Sequence, residues 1–221
     1  MDPIRVVLAD DHALFREGTR ELLERDPGIK VVGEAQDGVA VVALVHELEP
    51  DVAIVDIEMP GGDGIQATRG IKATHPEVGV LVLTVHDEDP FVFAILDAGA
   101  AGYLLKDVHS SELIRAVHAL RNGESVLHPV IARKVLERVR AGADRDAADP
   151  KVHLPERDIE VLRLAARGRT NQEIADELAV SLRTVQLRMT TLFGRLGVGS
   201  RTEAVIAGLR AGLFELEELT T

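Results

Sequence analysis

VAIVDIEMP, residues 52–60, runs four apolar residues straight into a carboxylate and then into a methionine and a proline. Val52, Ala53, Ile54 and Val55 show no polar alternation, so they read as a short strand buried on both faces. Asp56 then stands at the tip of that strand, where an unpartnered charge is costly to bury. In an open parallel sheet the ligand site forms outside the C-terminal ends of the strands, which gives a carboxylate at that tip a purpose.

On either side, strand-like runs recur at IRVVLA (4–9), KVVGEA (30–35), VGVLVLTV (78–85) and GYLL (102–105). Segments of helical period lie between them at 14–25, 39–48, 65–73, 90–98 and 112–121. This alternation predicts an α/β fold with a doubly wound, five-stranded parallel sheet covered on both faces. The first strand ends in Asp10 and Asp11, the third in Asp56, the fourth in Thr84 and the fifth in Lys106. Taken singly, a strand-end Asp or Thr is more often the N-cap of the next helix, and a strand-end Lys is usually solvated. Taken together, three carboxylates repel unless a cation joins them, and their oxygens suit a Mg²⁺ that keeps several waters. One carboxylate oxygen can then attack a phosphoryl group, while metal, ammonium and hydroxyl meet the three oxygens that arrive. Asp56 reads as a phosphoryl acceptor.

With 221 residues, 46% of them hydrophobic, the chain can form one large or two ordinary domains around a sizeable core. The absence of cysteine excludes a disulfide scaffold and a thiolate metal site. No run approaches the ~18 apolar residues of a membrane span and no secretory signal opens the chain, so a cytoplasmic protein without a membrane partner is expected. The net charge of −12 argues at first against a nucleic-acid partner, but it is unevenly spread. Residues 1–125 carry 10 basic and 23 acidic side chains, whereas residues 151–221 carry 10 of each. Between 181 and 201 stand Arg183, Arg188, Arg195 and Arg201 with no acid, so a local cationic stripe is compatible with the global charge.

Beyond residue 125 the strand signal ends. PVIARKVLERVRA (129–141) puts Ile131, Val135 and Val139 on one helical face, and the Ala-, Gly- and Asp-rich stretch 141–151 reads as a flexible linker. The expected organisation is an α/β domain over 1–125, a connecting helix and linker over 126–152, and a small all-α domain over 153–221. In the last, Thr170 with Glu173 and Ser200 with Glu203 form capping boxes, and Ser181 caps a helix over 182–196 after a turn at Ala179-Val180. Val185, Met189, Leu192 and Leu196 make its inward stripe. Its outward face offers Arg183, Thr184, Gln186, Leu187, Arg188, Thr190 and Thr191. A capped helix with an acid-free outer face suits the DNA major groove, the alternative being a helical bundle with an incidental arginine face.

The Asp10-Asp11 pair, the VDIEMPGGDG run around Asp56, LT at 83–84 and GYLLK at 102–106 together resemble the receiver domain of two-component response regulators, over roughly residues 4–122. The resemblance implies strand order 2-1-3-4-5, and a phosphoryl transfer to Asp56 from the phosphohistidine of a sensor histidine kinase. It also implies Mg²⁺ held by Asp10, Asp11, Asp56 and the backbone carbonyl of Glu58, with Thr84, Lys106 and Tyr103 as catalytic and switch residues. Tyr103 occupies the position of an aromatic that swings inward on activation; a half-buried sheet aromatic is the other reading. Asp107 stands where many receivers carry proline. Haloacid-dehalogenase-like phosphatases also use a strand-end aspartate, but they carry a second Asp two residues on, where this chain has Glu58, and place the nucleophile on the first strand. His12 and His86 lack the two further nitrogen or sulfur ligands that a transition-metal site needs.

Residues 154–214 resemble the LuxR-type helix-turn-helix, through LPERDIEVLRLAARG (154–168), TNQEIA (170–175), the L-x-V-S-x-x-T-V pattern (178–185) and GRLGV (194–198). With a receiver this is the layout of NarL/FixJ-class transcriptional regulators. It implies DNA contacts from Thr170, Asn171 and Ser181 besides the outward face above, double-stranded promoter half-sites as ligand, and homodimerisation on activation. The last helix, 201–212, is the implied dimer contact, through Ala204, Val205, Leu209 and Leu213. Such a protein is not an enzyme beyond accepting and losing its own phosphoryl group. Three positions depart from the pattern: Gln186 replaces a common lysine, Arg188 a common histidine and Pro155 a common threonine cap. Gln186 can bond an adenine edge in place of a phosphate. Two other readings stay open: a protein-interaction regulator whose helical domain no longer reads DNA, and a DNA binder controlled without phosphorylation.

Overall fold

Val52–Val55 is a strand with all four residues buried, and it lies inside a sheet whose other members carry the same apolar signature. The protein is described from a computed structural model that covers residues 2–60, 64–143 and 154–214. Six strands, β1 (Ile4–Ala9), β2 (Ile29–Ala35), β3 (Val52–Val55), β4 (Gly79–Thr84), β5 (Gly102–Leu105) and β6 (Val126–Leu127), form one parallel sheet of order β2-β1-β3-β4-β5-β6. Between them run α1 (Ala13–Leu23), α2 (Gly38–Leu48), α3 (Gly64–Thr74), α4 (Asp89–Leu96) and α5 (Ser110–Arg121). The two-residue period of the strands sends alternate side chains to opposite layers. Val6, Leu8, Ile54, Leu81 and Leu83 pack under α1 and α5, while Val7, Ala9, Ala53, Val55 and Val80 pack under α2 and α3.

The five expected strands are present in the expected order. The sheet has a sixth, which corrects the five-stranded expectation. β6 is only two residues long, too short to give a periodic signal, and it is fixed by long-range pairing: Val126 N–H donates to the Ala101 carbonyl and His128 N–H to that of Tyr103.

α6 (Pro129–Ala143) follows at once. Its Ile131 and Val135 are buried against Val92, Ile95, Leu96 and Tyr103. Residues 141–143, read as the start of the linker, belong to this helix; the remainder of that linker, 144–151, and the side chain of Val139 lie outside the described residues. Among the described residues the C-terminal part, 154–214, has helices only: α7 (Glu156–Ala166), α8 (Asn171–Glu177), α9 (Leu182–Leu196) and α10 (Arg201–Arg210). Both capping boxes form, and Ser181 accepts the Thr184 N–H at the start of α9. The α8–α9 turn takes Ala179 through φ +52°. α10 stops two residues before 212, with Ala211 as its cap and Gly212 at φ +65° ending the turn.

Candidate phosphoacceptor site and nucleic-acid interface

The parallel register brings the ends of β1, β3, β4 and β5 to one edge of the sheet. Asp10 and Asp56 are 1% and 5% exposed, and the cation that joins them is Lys106. Its Nζ lies 2.7 Å from Asp10 Oδ2 and 2.6 Å from Asp56 Oδ2. Burial works against the ammonium, but these two bonds outweigh it and raise its pKa above the ordinary lysine value. The same ammonium stands 4.4 Å from the centre of the Phe15 ring, a cation–π contact. Asp56 also accepts the Ile57 N–H at Oδ1, 2.7 Å away. Candidate ligand atoms of Asp10, Asp11, His12 and Asp56 all lie within 4.8 Å of one another. Three of the four donors are carboxylates, a hard-oxygen set of the kind that holds Mg²⁺, and His12 is an exposed side chain turned to Asp11 at 2.8 Å.

Gly64 was not singled out from sequence. A Cβ there would lie 2.0 Å from the Asp56 carbonyl oxygen, so α3 starts against the backbone of Asp56 itself. The Gly64 N–H closes this contact by donating to the Ile57 carbonyl at 2.8 Å. Only the glycine-rich run hinted at so close an approach.

Thr84 is fully buried at the end of β4, and the Lys106 N–H donates to its carbonyl. Its Oγ1 accepts a long bond, 3.4 Å, from the His86 N–H, and the His86 carbonyl in turn accepts the Tyr103 hydroxyl at 3.0 Å. Tyr103 is fully buried, which excludes the half-buried reading, and burial raises its phenol pKa above the ordinary value. The His86 ring packs on Phe91, with Nδ1 3.3 Å from Glu88 and Nε2 3.1 Å from Glu58 without hydrogen-bond alignment. The Glu58 side chain is exposed. From α6, Lys134 donates to the Asp87 carbonyl and lies 3.0 Å from Asp89. The loop after β4 is thus held by both Tyr103 and the connecting helix.

On α9, Val185, Met189 and Leu192 are buried, while Arg183, Leu187, Thr190 and Thr191 are exposed and Thr184, Gln186 and Arg188 are half-buried. The expected stripe of four arginines needs correction. Arg188 and Arg195 both bond the buried Asp158 of α7, at 3.0 and 2.8 Å. Arg201 is itself buried, donating to Asn171 Oδ1 at 3.0 Å, to the Ala165 carbonyl at 3.1 Å and to that of Arg169. Of the four, Arg183 and Arg195 are exposed, Arg188 is half-buried and Arg201 alone is buried. A sequence window shows charges but not the acid from another helix that meets them.

Asn171, expected at DNA, is 1% exposed and donates 2.8 Å to the carbonyl of Asn122 at the end of α5. Gln186 and Thr190 border a cleft whose other wall is the α5 end and the segment before β4. Of the residues expected at a dimer contact, Ala204 is fully buried in the helical core and belongs to that core rather than to a surface. Val205 and Leu209 are half-buried beside Ala132, Val135 and Leu136 of α6, and Leu213 packs on the domain core.

With this geometry in view, the likenesses to known proteins fall into place. Residues 6–118 match the family model of the response regulator receiver domain, and residues 152–207 match that of the bacterial regulatory proteins of the luxR family. The chain is 40% identical over 203 residues to transcriptional regulatory protein LiaR of Bacillus subtilis, covering 92% of this chain and 95% of that one. It is 38% identical over 208 residues to nitrate/nitrite response regulator protein NarP of Escherichia coli, covering 94% and 95%. Among solved structures it is similar to the response regulator ChrA of a heme-sensing two-component system, at 36% identity and a TM-score of 0.53 over 97% of this chain and 100% of that one. It is also similar to the RcsB–DNA complex, at 30% identity and a TM-score of 0.57 over 93% and 98%. The chain belongs to the response regulators. Its luxR-family output half places it with the transcriptional regulators of two-component systems, the group of LiaR and NarP.

Proposed function

We propose that Asp56 is the phosphoacceptor and that its phosphorylation frees α8 and α9 from the receiver half to bind DNA. The observation that carries this reading is the pair of buried carboxylates bridged by Lys106 at the sheet edge, next to Thr84, whose bonds lead through His86 to the loop that Tyr103 and Lys134 of α6 hold. An Asp56 carboxylate oxygen attacks the phosphorus of a kinase phosphohistidine, the P–N bond breaks, and the imidazole nitrogen leaves with the bonding pair and takes up a proton. Asp10, Asp11, Asp56 and the Glu58 carbonyl would hold Mg²⁺, which when bound would supply positive charge beside the phosphoryl oxygens. Lys106 exchanges its bond to Asp56 for one to a phosphoryl oxygen, and the Thr84 hydroxyl turns to another. Movement of Thr84 pulls on the His86 backbone, which Tyr103 holds, and so on the loop that Lys134 ties to α6. α6 packs against α10, so the shift reaches the output half, and dimerisation sets two α9 helices on neighbouring half-sites.

Intact mass after incubation with a small acyl phosphate and Mg²⁺ tests the acceptor. The parent should gain one phosphoryl group and Asp56→Ala none; labelling retained by a folded Asp56→Ala chain removes Asp56 from this role. One observation favours a second reading, a helical half that contacts protein instead of DNA: three of its four clustered arginines are held internally. DNA affinity that falls with salt separates the two.

A further inference from the structure

Asp158 is the third residue of α7, close to the helix N-terminus, where a carboxylate is electrostatically favoured. In a capping box the acid at this position would accept the N-cap amide, and an N-cap hydroxyl would accept the acid residue's own N–H. Here the N-cap is Pro155, which has neither a side-chain acceptor nor a backbone N–H. Both halves of the box are removed, and the Asp158 carboxylate turns to the recognition helix instead. Its Oδ1 takes Arg188 at 3.0 Å and its Oδ2 takes Arg195 at 2.8 Å. The two arginines are seven residues apart, two turns of α9, so one buried carboxylate pins the helix along much of its length. Two of the departures from the family pattern, Pro155 and Arg188, thus meet at a single site.

We infer that Asp158 is a positioning residue that withdraws Arg188 and Arg195 from DNA phosphates and fixes the pitch of α9, leaving Arg183, Gln186 and Leu187 to determine sequence preference. The inference rests on the DNA reading above. A carboxylate shared by two guanidiniums offsets the cations that would otherwise bind any duplex, so it lowers non-specific affinity while keeping the reading face in place.

The test measures affinity of the phosphorylated full chain for a short duplex of random sequence across a range of salt concentrations. Each phosphate neutralised adds about 0.9 to the slope of log affinity against log salt. Arg188→Met and Arg195→Met should leave the parent slope unchanged, because neither side chain meets a phosphate. Asp158→Asn should steepen it by about 1 to 2 units and tighten random-duplex binding at low salt by tenfold or more, as both guanidiniums are released. A slope flattened by about 0.9 in Arg188→Met overturns the inference, and so does an unchanged slope in a folded Asp158→Asn chain. Should Asp158→Asn fail to fold, the two arginine variants still decide. A parent chain that binds no duplex at any salt overturns the DNA reading itself, and is distinguished from the other outcomes by that total loss.

Discussion

Lys106 holds two carboxylates that would otherwise repel each other inside the protein. With Asp10 and Asp56 both under 6% exposed, removing the ammonium leaves uncompensated buried charge, which costs about 3 kcal/mol. Lys106→Met should therefore lower thermal stability by that order, and Mg²⁺ should restore more stability to the variant than to the parent. A variant as stable as the parent, with the same response to Mg²⁺, would contradict the role given to Lys106. The clustering of these residues was legible in the sequence because strand ends converge wherever strands are parallel, so Asp10, Asp56, Thr84 and Lys106 had to be neighbours. Tyr103 was only half legible. Its place on β5 followed from the pattern, but whether it lay inside or at the margin depended on α6, whose Ile131 and Val135 close over the same cluster. The pairing of Arg188 and Arg195 with Asp158 was not legible, since it joins residues 30 and 37 positions apart on different helices.

Elements were legible where their signals are local. Ser181, the Thr170–Glu173 box and the Ser200–Glu203 box set helix starts by bonds that span three residues, and each forms as expected. Where an element depends on distant backbone the signal fails, as with the two residues of β6, or with α3, whose first residue touches the Asp56 carbonyl. Gly64→Ala should destabilise the receiver half by more than 2 kcal/mol, as overpacking without a flexible neighbour does. It should also slow labelling from an acyl phosphate, because placing the Cβ forces the start of α3 and the Asp56 backbone apart. Thermal melting and intact mass read the two effects, and an alanine variant equal to the parent in both would refute the contact. An apolar stripe, too, declares that a helix face is covered but not by what. Val205 and Leu209 of α10 were expected at a dimer contact, and in this structure they lie beside α6.

At the scale of the whole molecule, the two halves meet along backbone as well as side chains. A Cβ on Gly199 would lie 3.2 Å from the Cα of Gly99, and the Lys72 side chain lies beside both glycines. Lys72 donates to the carbonyls of Pro76 and Val78, and burial lowers its pKa from 10.5 to about 8, partly opposed by Glu203 and Glu77. The folded chain therefore binds fewer protons than the unfolded chain between pH of about 8 and 10.5, so this lysine makes stability rise with pH across that window, and its full penalty applies below about 8. Relative to Lys72→Met, the parent should gain on the order of 2 kcal/mol from pH 8 to 10.5 in denaturant melts. No relative gain would show that the amine is not held in a desolvated place. Among the described residues no helix is long and apolar enough to cross a membrane, and the two matched families cover the receiver half and the output half. The central claim is that a phosphoryl group on one controls DNA binding by the other. The most direct measurement captures sheared genomic DNA on the purified chain with Mg²⁺, with and without a small acyl phosphate, and sequences what is bound. Discrete fragments enriched in the phosphorylated parent, and absent both without the donor and with Asp56→Ala, are the predicted result. Equal enrichment with and without the donor would contradict the claim of control, and no enrichment in any sample would contradict the claim of DNA binding.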